Sequence, residues 1–338
     1  MKVFKAENSP VHGNTALGHH SLALVCWAIL PAFFLGGCSG GGPGEADDAG
    51  SASSGKPLVV TTTTHVTDMV KTVAGDRIKL VPLMGPGVDP HLYKPSAKDI
   101  AALAKADLVF YNGLMLEGRM ADVFSKASRA GTKTYAVTES VPKEILLEPE
   151  EFEGHWDPHV WFDPKIWLKC VEVVRDGLSE TDPAGRVVYA KNAETMKAEF
   201  IALNDWAKAR IGKLPENSRR LVTSHDAFNY FGRAFGVEVR AVQGLSTATE
   251  AGLADRVGMV DYVKLHGVKA IFVESSVNPS IIEEIARETD VKVGGELFSD
   301  AMGEPGQMEK GPDGEGYDIG TWVGMMKHNV NIFVKAMK

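Results

Sequence analysis

The strongest constraint on the fold is a helical stretch that little interrupts. From Pro183 to Ile211 the chain carries almost no glycine or proline; Asp182-Pro183 opens it, and Gly212 and Pro215 stop it. Aspartate followed by proline predicts an N-cap and a first helical residue whose missing N–H costs nothing. Roughly 30 residues at about 1.5 Å each make a helix about 45 Å long, more than one small domain can accommodate. A spine joining two bodies is the reading that accommodates it. We therefore expect a connecting helix at 183–213 between an N-terminal α/β lobe at 57–182 and a C-terminal α/β lobe at 214–338.

The flanks of the spine support two such bodies. Before it, β-rich runs at 58–63, 78–84, 107–111 and 133–137 alternate with helical patterns at 66–74, 96–105 and 117–130. A further helix, 166–179, leads into the spine. After it, strands at 220–223, 237–242, 270–274 and 291–296 alternate with helices at 228–235, 250–266, 280–289 and 319–337. Strand–helix alternation predicts a mostly parallel sheet flanked by helices in each lobe.

The first 56 residues read differently. An almost purely apolar run from Ser21 to Leu35 ends at Gly36-Gly37-Cys38. At about 1.5 Å per residue it falls short of a bilayer core, and a short apolar run ending at small residues predicts a secretory signal region, 1–37. Leu35-Gly-Gly-Cys38 resembles a bacterial lipobox, whose cysteine becomes the lipid-modified first residue of the mature chain. The Gly/Ser-rich segment 38–56 cannot bury a core and predicts a flexible linker. With Cys26 in the leader and Cys38 at the lipid site, Cys170 is left alone, so no disulfide is expected. The chain carries 36 basic and 44 acidic residues, for a net charge of -8, a balance that argues against a nucleic-acid partner.

Ligand sites in open α/β sheets lie beyond the carboxyl ends of the strands. His91 follows the second strand and His159 the fourth; His225 follows the first strand of the second half and Asp300 its last. Imidazole and carboxylate suit zinc, manganese and iron, and four such groups can enclose a divalent ion. None of these histidines pairs at helical spacing with another, so spacing alone leaves capping and loop roles open for each.

The blocks around them resemble a known family, the zinc, manganese and iron solute-binding lipoproteins of ABC importers. The resemblance runs through Asp89-Pro-His91-Leu-Tyr-Lys-Pro-Ser, Trp156-Asp-Pro-His159-Val-Trp-Phe-Asp-Pro and Thr223-Ser-His225-Asp-Ala-Phe. It continues through Phe272-Val-Glu-Ser-Ser-Val-Asn-Pro279, Gly295-Glu-Leu-Phe-Ser-Asp300 and Gly320-Thr-Trp-Val-Gly-Met-Met-Lys-His-Asn329. It implies two α/β lobes on one long, stiff helix, with His91, His159, His225 and Asp300 as ligands of one transported metal ion. It also implies a non-enzymatic, monomeric protein that is exported and held at a bacterial membrane through Cys38, periplasmic or cell-surface. Its partner would be a membrane permease with a cytoplasmic ATPase. A metallohydrolase built on the same cluster, and a metal-stabilised surface adhesin, are the alternatives.

Around the ligands, His65 is expected near the cleft without coordinating, and His155 close to His159 in its loop. Glu250 and Glu274 are expected in helix-end and inter-loop hydrogen bonds, and His266 and His328 in packing or surface roles. Trp156, Trp161 and Phe298 are expected to exclude water. For the metal, the short segment Glu148–His155 lacks the His-rich loop common in dedicated zinc members. His225 in turn stands where manganese members often have glutamate, so zinc and manganese stay open, with iron third.

Overall fold

The computed structural model describes residues 55–149 and 154–338; the leader, Cys38 and most of the Gly/Ser-rich segment lie outside the described residues. The first half is a four-stranded parallel sheet of β1 (Leu58–Thr61), β2 (Lys79–Pro82), β3 (Leu108–Tyr111) and β4 (Lys133–Ala136), in the order β2-β1-β3-β4. Between these strands run α1 (Thr64–Ala74), α2 (Ala97–Leu103) and α3 (Ala121–Arg129). Alternation decides the two faces. Val59, Leu108 and Phe110 enter the main core, while Val60 and Val109 turn to the opposite side against Leu103, Met120 and Phe124.

Two long helices follow, α4 (Pro164–Thr181) and α5 (Arg186–Ile211). The second half holds β5 (Arg220–Thr223), α6 (Asn229–Phe235), β6 (Glu238–Ala241), α7 (Leu253–His266), β7 (Ala270–Glu274), α8 (Ser280–Thr289) and β8 (Lys292–Leu297). β5 pairs with β6 and β7 with β8, each in parallel, and β5 lies beside β7. A small antiparallel hairpin, β9 (Met308–Lys310) and β10 (Gly316–Asp318), precedes the last helix, α9 (Trp322–Met337). The hairpin escaped the sequence reading because each arm has three residues, too few to display an alternation.

The spine buries one stripe, Tyr189, Ala193, Met196, Phe200, Leu203, Ala207 and Ile211, at the spacing an α-helix needs to keep one face inward. That face packs against α1 and α4 from the first half and against α6 and α9 from the second. A single apolar cluster therefore runs from Val59 through Phe200 and Trp322 to Phe272 and Leu297. At about 1.5 Å per residue, α5 is about 39 Å long, somewhat shorter than expected.

Asp182 is where expectation and structure part. The spine starts only at Arg186, after a short 3-10 turn over Pro183–Gly185, and has no side-chain cap. The Asp182 carboxylate instead takes the Arg77 guanidinium, with Nε at 2.8 Å, and the Tyr189 hydroxyl at 2.6 Å. A charge-assisted, two-pronged pairing outcompetes a neutral backbone N–H. The same dipeptide does cap α4: the Asp163 side chain accepts from the Lys165 N–H at 2.9 Å, with Pro164 next. Likewise α3 begins at Ala121 because Glu117 is drawn inward. Its buried carboxylate accepts from Thr62 Oγ1 and the Asn112 N–H, both at 2.7 Å, and from the Gly113 N–H at 3.2 Å.

Two features of α9 yield tests. A Cβ on Gly324 would stand 1.8 Å from the Asp318 carbonyl oxygen, so Gly324→Ala must push the hairpin off the helix; we expect a loss of about 2 kcal/mol or more, read as a lower denaturant midpoint. Asp68 on α1 accepts the Trp322 N–H at 2.9 Å, and burial is the main cause that raises its carboxyl to about 6. A carboxyl raised on folding stabilises most below its unfolded pKa, near 3.9, and loses that contribution as pH rises through 6. Between pH 7.5 and 4, metal-free wild type should therefore gain stability relative to Asp68→Asn; superimposable melting profiles would refute this.

Candidate metal centre

All four expected ligands converge. His91 lies in the loop between β2 and α2, and His159 immediately before a 3-10 turn at Val160–Phe162. His225 follows β5 by two residues and Asp300 follows β8 by three. One donor atom from each of the four lies within 4.8 Å of the others. Nε2 of His91 is 3.3 Å from Nε2 of His159 and 3.7 Å from Asp300 Oδ2. Nε2 of His159 stands 3.4 Å from Asp300 Oδ1, and Nε2 of His225 3.2 Å from Asp300 Oδ2. Donors about 2.1 Å from one tetrahedral centre lie roughly 3.4 Å apart, so these separations suit a single ion. His225 Nε2 and both oxygens of Asp300 are buried without a hydrogen-bond partner, which is costly unless something else satisfies them.

Two of the three imidazoles are held from behind, and their holders come from different elements. Asp157 Oδ1 takes both the His159 backbone N–H at 2.9 Å and its Nδ1 at 2.8 Å. Glu274, at the end of β7, holds the backbone N–H of His225 at 2.8 Å through Oε1 and its Nδ1 at 2.5 Å through Oε2. Such carboxylates fix the tautomer and raise the basicity of the outward nitrogen. Asp89 accepts the backbone N–H of His91 at 2.8 Å. Asp157 is itself gripped by α6: Asn229 Nδ2 donates to its Oδ2 at 3.2 Å, and the Tyr230 hydroxyl to its carbonyl at 3.0 Å.

Asp300 is placed by a longer route. Asn329 of α9 clamps Phe298, accepting its N–H at 2.9 Å and donating to its carbonyl at 2.7 Å. The Trp161 indole donates to the Ser299 carbonyl, and the Trp322 indole to the Trp161 carbonyl, both at 3.1 Å. One relay thus sets a segment two residues beyond His159 against a segment one residue before Asp300.

The carboxylates favour positive charge on two of these imidazoles. Burial alone would lower His159, but the Asp157 and Asp300 carboxylates raise it to about 9. His225 is raised well above its ordinary value, Glu274 and Asp300 outweighing burial. Asp300 is held well below the usual carboxylate range: burial opposes this, and His225, His159 and His91 overcome it. His91 has no comparable carboxylate on its ring, and burial lowers it to about 3.

The remaining candidates separate clearly. His65 is fully buried and stacks on Trp161 at 4.6 Å, outside the four-donor cluster. His155 is exposed in the loop ahead of Asp157, and Glu250 is also exposed. His266 is exposed and lies 4.5 Å from the Tyr262 ring, whereas His328 is buried and bonds Glu309 and the Glu296 carbonyl. Trp161 and Phe298 are buried, Trp156 half-buried. Sequence reading missed Asp157, Asn229 and Asn329. The repeated Asp-Pro-His, at 89–91 and 157–159, was the available signal for the first.

The family described as zinc-uptake complex component A, periplasmic (ZnuA), matches residues 59–336. The manganese-binding lipoprotein MntA of Bacillus subtilis is 39% identical over 320 residues, covering 93% of this chain and 99% of that protein. The zinc-binding protein TroA of Treponema pallidum is 41% identical over 292 residues, covering 85% and 91%. The solved structure of the periplasmic zinc-binding protein TroA from Treponema pallidum superposes with a TM-score of 0.78 at 40% identity, covering 84% of this chain and 99% of that one. On sequence and fold alike, the chain belongs to the ZnuA family of metal-uptake binding proteins.

Proposed function

We propose that this protein captures a divalent transition-metal ion outside the cytoplasm and delivers it to the permease of an ABC-type importer, whose cytoplasmic ATPase drives uptake. One observation carries the reading: three imidazoles and a carboxylate, two from each half of the chain, meet in a buried pocket at separations suited to one ion. In this reading His91, His159, His225 and Asp300 are the ligands, and Asp157 and Glu274 hold two of them in register. Four protein donors complete a tetrahedral shell, whereas a hydrolytic zinc site keeps a position for water; the protein binds its ion and does not turn over a substrate. Lipid modification at Cys38 keeps the monomer at the membrane, on a leash formed by the Gly/Ser-rich segment.

The donor set accommodates zinc or manganese, and iron after them. A monodentate Asp300 gives four-coordinate zinc, and a bidentate one gives the five-coordination manganese accepts. Intrinsic affinity ranks zinc above manganese at such donors.

Elemental analysis of protein purified from rich medium, followed by competitive titration, tests the proposal. Wild type should carry one ion per chain. His91→Ala and His225→Ala should lose stoichiometric metal while keeping a cooperative thermal transition, and full retention in both would sink the assignment. Glu274→Gln keeps the shape but weakens the hold on His225, so its affinity should fall by about 10- to 100-fold; an unchanged titration would show that Glu274 does not tune the site.

A further inference from the structure

We propose that the hydrogen bond between Asp89 and Thr247 is a latch across the mouth of the metal site, and that it sets how fast the ion leaves. The inference rests on reading the four donors as a metal site and concerns the contact that holds that site shut.

Exposure singles out one ligand. His159 and His225 are 0% accessible and Asp300 1%, whereas His91 is 7% accessible. An ion coming from solvent therefore meets His91 first and leaves past it last. His91 is also the ligand least restrained by its own surroundings. Among the described residues no carboxylate grips its ring, as Asp157 grips that of His159 and Glu274 that of His225. It sits in the stretch between β2 and α2, which contains no helix or strand. Its placement depends on its backbone, and Asp89 Oδ1 holds that backbone through the His91 N–H.

The other oxygen of the same carboxylate reaches across the molecule. Asp89 Oδ2 accepts from the Thr247 hydroxyl at 2.6 Å, a contact spanning 158 residues of sequence. Thr247 belongs to the segment between β6 and α7, in the second half. Asp89 and Thr247 together line a groove of about 280 Å³, with Gln243, Glu250 and Ser276 among its other walls. One carboxylate thus positions the outermost ligand and ties its loop to the opposite half, at a groove that Leu92, the residue after that ligand, also lines. Without the tie, the His91 loop can lift from the donors on the second half without breaking anything else that Asp89 holds. Hydrogen bonds to a charged acceptor are among the stronger ones, so the tie is large enough to govern a rate.

The test compares Thr247→Val, which keeps the shape and removes the donor, with Thr247→Ser, which keeps the donor. Each protein is loaded with cobalt(II), and release is followed by stopped-flow mixing with excess chelator. Thr247→Val should release the ion about tenfold faster or more, Thr247→Ser at close to the wild-type rate, and the cobalt absorption spectrum should be the same in all three. Release from Thr247→Val at the wild-type rate overturns the latch while leaving the metal site intact. Faster release with an altered spectrum also overturns it, because the coordination sphere itself would have changed. A wild-type protein that takes up no cobalt, zinc or manganese overturns the site reading, and the latch with it.

Discussion

Much of this structure is arranged around a buried carboxylate. Asp300 is 1% accessible, faces three imidazoles, and has no hydrogen bond on either oxygen. A lone carboxylate in such a place would be strongly disfavoured. It is tolerated because the imidazoles surround it and because further carboxylates, Asp157 and Glu274, press positive character onto two of them. Negative and positive groups are layered around Asp300, in a cluster whose four donor atoms are close enough to hold a metal ion.

Holding such a layer in place takes elements from the whole chain. Asp68 on α1 receives the first N–H of α9, the Trp322 ring beneath it reaches the Trp161 carbonyl, and Trp161 reaches Ser299 beside Asp300. The spine runs behind this relay, with the Phe200 ring centroid 4.1 Å from that of Trp322 and tilted against it. Because α5 packs against helices from both halves within one apolar cluster, wide separation of the halves would expose that core. A shift confined to the loops where Asp89 and Thr247 meet would leave that core covered.

The candidate ligands were legible because each lies in a connection that follows a strand, His225 and Asp300 within three residues of its end and His91 and His159 farther along, where open α/β sheets place their sites. Asp-Pro-His at 89–91 and at 157–159 marks two of them directly. Their supports were less legible. Asp157 and Asp89, in the same tripeptide, each give one oxygen to the following histidine and the other to the second half, but Asp157 meets Asn229 of α6 and Asp89 meets Thr247. Asn329 looks like any polar residue of an amphipathic helix, and only the approach of Phe298 gives it a task. Asp182 shows the reverse error: a local pattern that capped one helix at Asp163 was overridden at Asp182 by an arginine 105 residues away.

By itself the sequence determined the α/β alternation, the long helix and the chemical identity of the donors, because these follow from periodicity and residue type. Tertiary structure decided which carboxylates stand behind which imidazoles, where the spine begins, and which of the four donor residues is most accessible to solvent. Those outcomes depend on side chains far apart in sequence competing for the same partner. The winner is settled by charge, burial and reach, none of which is local.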